Sequence, residues 1–145
     1  MSPSLRGSAG NLGELEVIGN VPCPNCRRAL VQLPRNYPMY DVQCSGCSFR
    51  AQVKTCNSRP KDCVFGAGWD IVQKVLKAGF LLPPLFINFR WREGRVRRSQ
   101  IIFFPFVPST HLAKWTLSSQ AKRAGYRMFN YVRLSELPQS VVFEE

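Results

Sequence analysis

Apolar and polar positions alternate in short runs over most of the chain. Tyr37 to Gln43 and Phe49 to Lys54 are strand-like, with a turn between them. Trp69, Val72, Val75, Leu76 and Phe80 recur at helical spacing, which predicts an amphipathic helix from Gly68 to Ala78, stopped by Gly79. Leu85 to Trp91 and Val96 to Phe104 read as two strands rich in Ile, Phe and Val, joined at Glu93-Gly94 by a tight turn. Pro105 and Pro108 end the second of them. Leu112 to Trp115 reads as a short helix, and Tyr126 to Leu134 as a final strand. Residues 1–12 are rich in Ser, Gly and Pro and read as a flexible arm. Residues 13–145 are expected to form one α/β domain, with firm order from Val21 onward.

The cysteines change this picture. Cys23, Cys26, Cys44 and Cys47 make two CxxC pairs separated by 17 residues, a spacing that supplies four thiolates to one tetrahedral zinc. All four positions are filled by protein, so the zinc is expected to be structural, with no site left open for water. Pro22, Pro24 and Asn25 in one pair, and Ser45 and Gly46 in the other, suit knuckle turns. Cys56 and Cys63 do not join the array and read as ordinary, partly buried thiols. His111 is the single histidine and has no nucleophile arranged beside it, so it reads as a surface or structural residue.

With 20 Lys plus Arg against 9 Asp plus Glu, the formal charge is +11. Such a balance favours polyanions, nucleic acid first, and fits non-specific RNA binding as readily as a dedicated function. The apolar runs are too short to span a bilayer, and neither a signal sequence nor a membrane partner is indicated. Six cysteines without secretion point to a cytoplasmic setting with reduced thiols.

Asp41, Gln52 and Lys54 thread through the second cysteine pair. Gln52 and Lys54 are two apart on a strand and share a face, and a hairpin can return Asp41 beside them. Asp41, the Gln52 amide oxygen and the Val53 carbonyl offer hard oxygens to magnesium or manganese, and Lys54 offers a cation for phosphate or water. In isolation the same residues also fit an ordinary solvated strand face.

Several segments carry a resemblance: CPNC at Cys23–Cys26, DVQCSGCSFRAQVK at Asp41–Lys54, GAGWDIVQKV at Gly66–Val75, AKRAGY at Ala121–Tyr126 and LSELP at Leu134–Pro138. In order and spacing the chain resembles the catalytic domain of DpnI-like restriction endonucleases, which cut adenine-methylated GATC. The resemblance implies a PD-(D/E)xK nuclease fold, a mixed sheet flanked by helices with an inserted four-cysteine zinc knuckle. It places the catalytic Asp on Asp41 and the catalytic Lys on Lys54, with double-stranded DNA as substrate. Gln52 departs from the family's Glu and brings no charge to the metal. Mrr-like branches of the superfamily use Q-x-K and remain nucleases. The family's winged-helix reader of methylated DNA would follow beyond this chain.

DNA contacts are expected from Arg95, Arg97 and Arg98, which with Arg90 and Arg92 surround the Glu93-Gly94 turn. A second set is Lys122, Arg123 and Tyr126, with Lys114, Trp115 and Arg127 nearby. The function expected is a metal-dependent DNA endonuclease of restriction type. The alternatives are a zinc-containing nucleic-acid-binding domain that does not cleave, and a protein-interaction module. Recognition sequence, methylation dependence and oligomeric state are not encoded in any motif.

Overall fold

A computed structural model of the chain describes residues 8–35, 37–66, 68–116, 118–120 and 125–145. The fold is mixed α/β, and its contacts divide it into two compact units. The first unit comprises residues 1–60, 83–105 and 139–145, and the second comprises 61–82 and 106–138.

The first unit holds helix α1 (Ser8–Asn20) and strands β1 (Leu30–Gln32), β2 (Val42–Cys44), β3 (Arg50–Cys56), β5 (Leu85–Glu93), β6 (Val96–Phe104) and β9 (Ser140–Glu144). They form one sheet in the order β1-β2-β3-β5-β6-β9. Only β3 and β5 run parallel; all other neighbours are antiparallel. A parallel pair needs a long crossover, and the second unit begins within it.

The β2–β3 hairpin turns where the sequence expectation places it, but residues 37–41 of the expected first strand are not strand and β2 begins only at Val42; the β5–β6 hairpin follows the expectation closely. In the latter, Glu93 pairs with Val96, leaving Gly94 and Arg95 as a two-residue turn. Gly94 takes a φ of 64°, open to glycine at little cost. The core lies between α1 and the sheet: Val17 and Val21 meet Leu30, Val42, Ala51, Val53, Phe86, Ile101 and Phe103.

Helix α1 lies outside the sequence expectation, and the arm assigned to residues 1–12 overlaps it from Ser8 onward. Its anchors are polar as well as apolar. Buried Asn88 donates from Nδ2 to the Glu16 carboxylate at 2.8 Å and to the Gly13 carbonyl at 3.3 Å. Glu16 also pairs with buried Arg90 at 3.0 Å. Asn20 caps the last turn by donating to the Glu16 carbonyl.

The second unit holds β4 (Val64–Gly66), helix α2 (Trp69–Lys77), β7 (Leu112–Thr116) and β8 (Arg127–Tyr131), with sheet order β4-β8-β7. Helix α2 matches the sequence expectation closely. Trp69 packs on Phe129, Val72 is buried, and Gly79 at φ 90° ends the helix. Leu112 to Trp115 is a strand, not the short helix expected. So short a segment carries too little period to decide, and antiparallel pairing with β8 decides it. No described helix is long and apolar enough to cross a membrane.

Candidate metal centre and candidate active site

The knuckle containing Cys23 and Cys26 precedes β1, and Cys44 and Cys47 lie at the end of β2 and in its turn to β3. The four sulfurs lie within 4.8 Å of one another. Cys23 Sγ is 3.6 Å from Cys47 Sγ, and Cys26 Sγ is 3.3 Å from Cys44 Sγ. Thiolates about 2.3 Å from a central zinc would stand about 3.8 Å apart, close to what is seen, whereas a disulfide is about 2 Å. All four are free thiols.

Backbone donors already face the sulfurs. Asn25 N–H donates to Cys23 Sγ at 3.3 Å, and Gly46 N–H donates to Cys44 Sγ at 3.2 Å. The Asn25 side-chain amide and the Phe49 N–H draw the Cys47 thiol down to about 6. At Cys26 the Arg28 N–H favours the thiolate. The neighbouring cysteines and burial outweigh it and push the thiol up to about 12. Four thiolates this close repel one another, and a divalent cation is the group that relieves the repulsion. The residues fit zinc.

Phe49 ties the knuckle to the sheet. Its ring lies edge-on to Phe86 and Phe103, with centroids 6.2 and 5.8 Å away. Cys63, expected to be partly buried, is exposed, while half-buried Cys56 sits 3.2 Å from the Ser58 hydroxyl.

One end of the β2–β3 hairpin collects the other candidates. Asp41 immediately precedes β2, and its N–H donates to the Ala51 carbonyl at 2.9 Å. Where the next backbone partner of β3 would stand, the Asp41 side chain stands instead: Val53 N–H donates to Asp41 Oδ2 at 2.7 Å. The carboxylate is thereby fastened to the strand that carries Gln52 and Lys54. Ala51 and Val53 turn into the core, so Gln52 and Lys54 occupy the opposite face, both half-buried. On the other edge of β3, Gln52 N–H donates to the Pro84 carbonyl at 2.9 Å.

The sequence reading missed a second carboxylate. Glu14 on α1 accepts a hydrogen bond from Gln32 Nε2 at 3.0 Å and lies in the electrostatic field of Asp41 and Lys54. Burial raises Glu14 above the ordinary range, with Gln32 opposing, Asp41 adding and Lys54 subtracting. Burial likewise raises Asp41, against the Val53 N–H and Lys54. Burial lowers Lys54, against Asp41 and Glu14. Two carboxylates and one ammonium with shifted values thus lie in one another's field, a pattern found at functional sites and in structural ion-pair networks alike. Nothing in the sequence flagged Glu14, because its helix was not read.

The expected DNA-contact residues divide. Arg95 and Arg97 are exposed, with Arg97 directly across from Arg92. Arg98 lies 3.7 Å from Glu93. Arg90 is buried with Glu16 and does not belong to the basic turn's surface. Tyr126 is half-buried, and Arg127 pairs with Asp70 at 2.5 Å. Lys122 and Arg123 lie outside the described residues. His111, 12% exposed, stands 3.3 Å from Glu136, in keeping with a structural role.

No curated protein matches the chain. A family-wide comparison matches residues 7–144 to the DpnI family, described as the Dam-replacing family. That match takes in α1, the cysteine cluster and the Asp41–Lys54 hairpin, and the chain belongs to this family.

Proposed function

We propose that the chain is a divalent-metal-dependent DNA endonuclease of restriction type, a Q-x-K variant of the PD-(D/E)xK nucleases that acts on adenine-methylated DNA. The observation that carries this reading is the Asp41 carboxylate, fastened by the Val53 N–H to the strand bearing Gln52 and Lys54, with Glu14 in the same field. Family membership supports a methylation-related, restriction-type function and DNA as substrate.

Asp41, Glu14 and the Gln52 amide oxygen would hold magnesium or manganese, the hard-oxygen set these ions prefer. When bound, the ion polarises a phosphoryl oxygen and activates water. Gln52 contributes no charge, and Glu14 restores the second carboxylate that the motif lacks. Lys54, half-buried in the field of two acids, would stabilise charge developing on phosphate. The zinc would serve the fold and take no part in the reaction.

A second reading, a DNA-binding domain without cleavage, rests on the neutral Gln52. Nicking of methylated and unmethylated plasmid with magnesium or manganese separates the two. Asp41→Ala, Lys54→Ala and Glu14→Gln are expected to reduce cutting by orders of magnitude while leaving zinc bound. Cutting at the wild-type rate by Asp41→Ala would remove the assigned site.

A further inference from the structure

Arg50 begins β3, two residues before Gln52 and four before Lys54, on the same face of the strand, and is itself exposed where those two are half-buried. Its register partner across β2 is Gln43. Two neutral groups fix the guanidinium: Nε donates to Gln43 Oε1 at 2.9 Å, and Nη1 donates to Tyr37 Oη at 2.8 Å. It also stacks against two rings, 5.5 Å from the Tyr37 centroid and 5.9 Å from the Tyr40 centroid. The rings meet edge to face at 6.5 Å.

Five other arginines, Arg59, Arg90, Arg98, Arg127 and Arg133, each meet a carboxylate. Arg50 meets none among the described residues, as holds for Arg92, Arg95 and Arg97 too; what marks Arg50 is the brace of two hydrogen bonds and two rings. A guanidinium has five N–H donors, and these two bonds leave three for an outside acceptor. An exposed, uncompensated and immobilised cation loses little conformational entropy on binding an anion. Along the strand, Arg50 stands about 6.6 Å from Gln52 and about 13 Å from Lys54. A DNA strand entering the site therefore carries a second phosphate within its reach.

We propose that Arg50, braced by Tyr37 and Tyr40, is a clamp for a backbone phosphate of duplex DNA adjacent to the bond that is cut. The inference rests on the nuclease reading for its location, but its test is read from binding alone. Affinity for a labelled methylated duplex would be measured by fluorescence anisotropy over a range of salt, in buffer without magnesium. Arg50→Gln is expected to weaken binding and to reduce the salt slope by about one phosphate contact, while Arg50→Lys keeps most of the slope. A neutral methylphosphonate scanned along the duplex should find one position that weakens the wild type and costs Arg50→Gln nothing further.

Thermal melts of each variant separate folding from binding. If Arg50→Gln proves unstable, Tyr37→Phe, which loses only a hydroxyl, is expected to weaken binding at that same phosphate position. An unchanged slope in folded Arg50→Gln, or additive losses at every methylphosphonate position, would overturn the clamp. A wild type that binds in this way but never cuts would overturn the nuclease reading and leave the clamp standing.

Discussion

A β-carbon placed on Gly13 would stand 1.8 Å from the Thr55 hydroxyl oxygen, so α1 lies against β3 at a distance that only glycine permits. Glu14 is the next residue. The closeness of helix to strand therefore sets where the second carboxylate stands.

Gly13→Ala must push α1 away from β3. Overpacking of this kind costs about 1–3 kcal/mol. Urea unfolding is expected to show a loss in that range, and plasmid nicking a larger proportional loss than stability explains. Equal activity in folded Gly13→Ala would show that Glu14 is not needed where it stands.

Chain purified without added metal is expected to carry about one zinc equivalent, because the four sulfurs are already gathered around one point. Cys44→Ser should destabilise the fold far more than Cys63→Ser, since Cys44 is buried in the cluster and Cys63 is exposed. Metal analysis and thermal melts check both. A folded, metal-free chain of unchanged stability would contradict this.

Acidity should act on the site with a definite sign. Asp41 and Glu14 have raised values in the native state, so the folded chain binds protons more tightly than the unfolded one. Their burial cost is complete above the raised values and is relieved as pH falls through them. Lys54 is lowered, so its cost is complete below its native value and is relieved as pH rises through that value. Asp41→Asn keeps an oxygen for the Val53 N–H and drops the charge. It is expected to match or exceed wild-type stability near pH 7 and to lose that margin below the ordinary carboxylate range. Thermal melts across pH would reveal the opposite trend if the assignment is wrong.

Gln52→Glu adds a carboxylate to the face already holding Lys54. Magnesium affinity should rise and cutting should be at least preserved, read by titrating nicking against magnesium. Cleavage that appears only in Gln52→Glu would make the native chain a binder on a nuclease scaffold.

The parts legible in the sequence were those whose signal is local. Glu93-Gly94 between two Ile/Phe/Val runs announced the β5–β6 hairpin, and two CxxC pairs announced the sulfur cluster. Helix α1 was hidden because Gly10, Gly13 and Gly19 weaken its intrinsic preference. Packing of Val17 on the sheet and the Glu16–Asn88–Arg90 network hold it instead. Strands β1 and β4, three residues each, are too short to show a period, and β9 follows Pro138. Glu14 and the brace around Arg50 depend on long-range placement, which no spacing rule encodes.

The six-stranded sheet also imposes an order of assembly. The cysteine cluster and β1 to β3 close over neighbouring stretches of chain and can form as soon as they leave the ribosome. Strand β9 cannot, because its partner on β6 lies far upstream: Gln100 pairs with Glu144. Non-local pairings of this kind fold slowly. A nascent chain halted before residue 140 would hold every candidate metal ligand and leave the far edge of β6 bare. For a chain expected to cut DNA, closure of this sheet edge by β9 would follow the pairing of the strands before it.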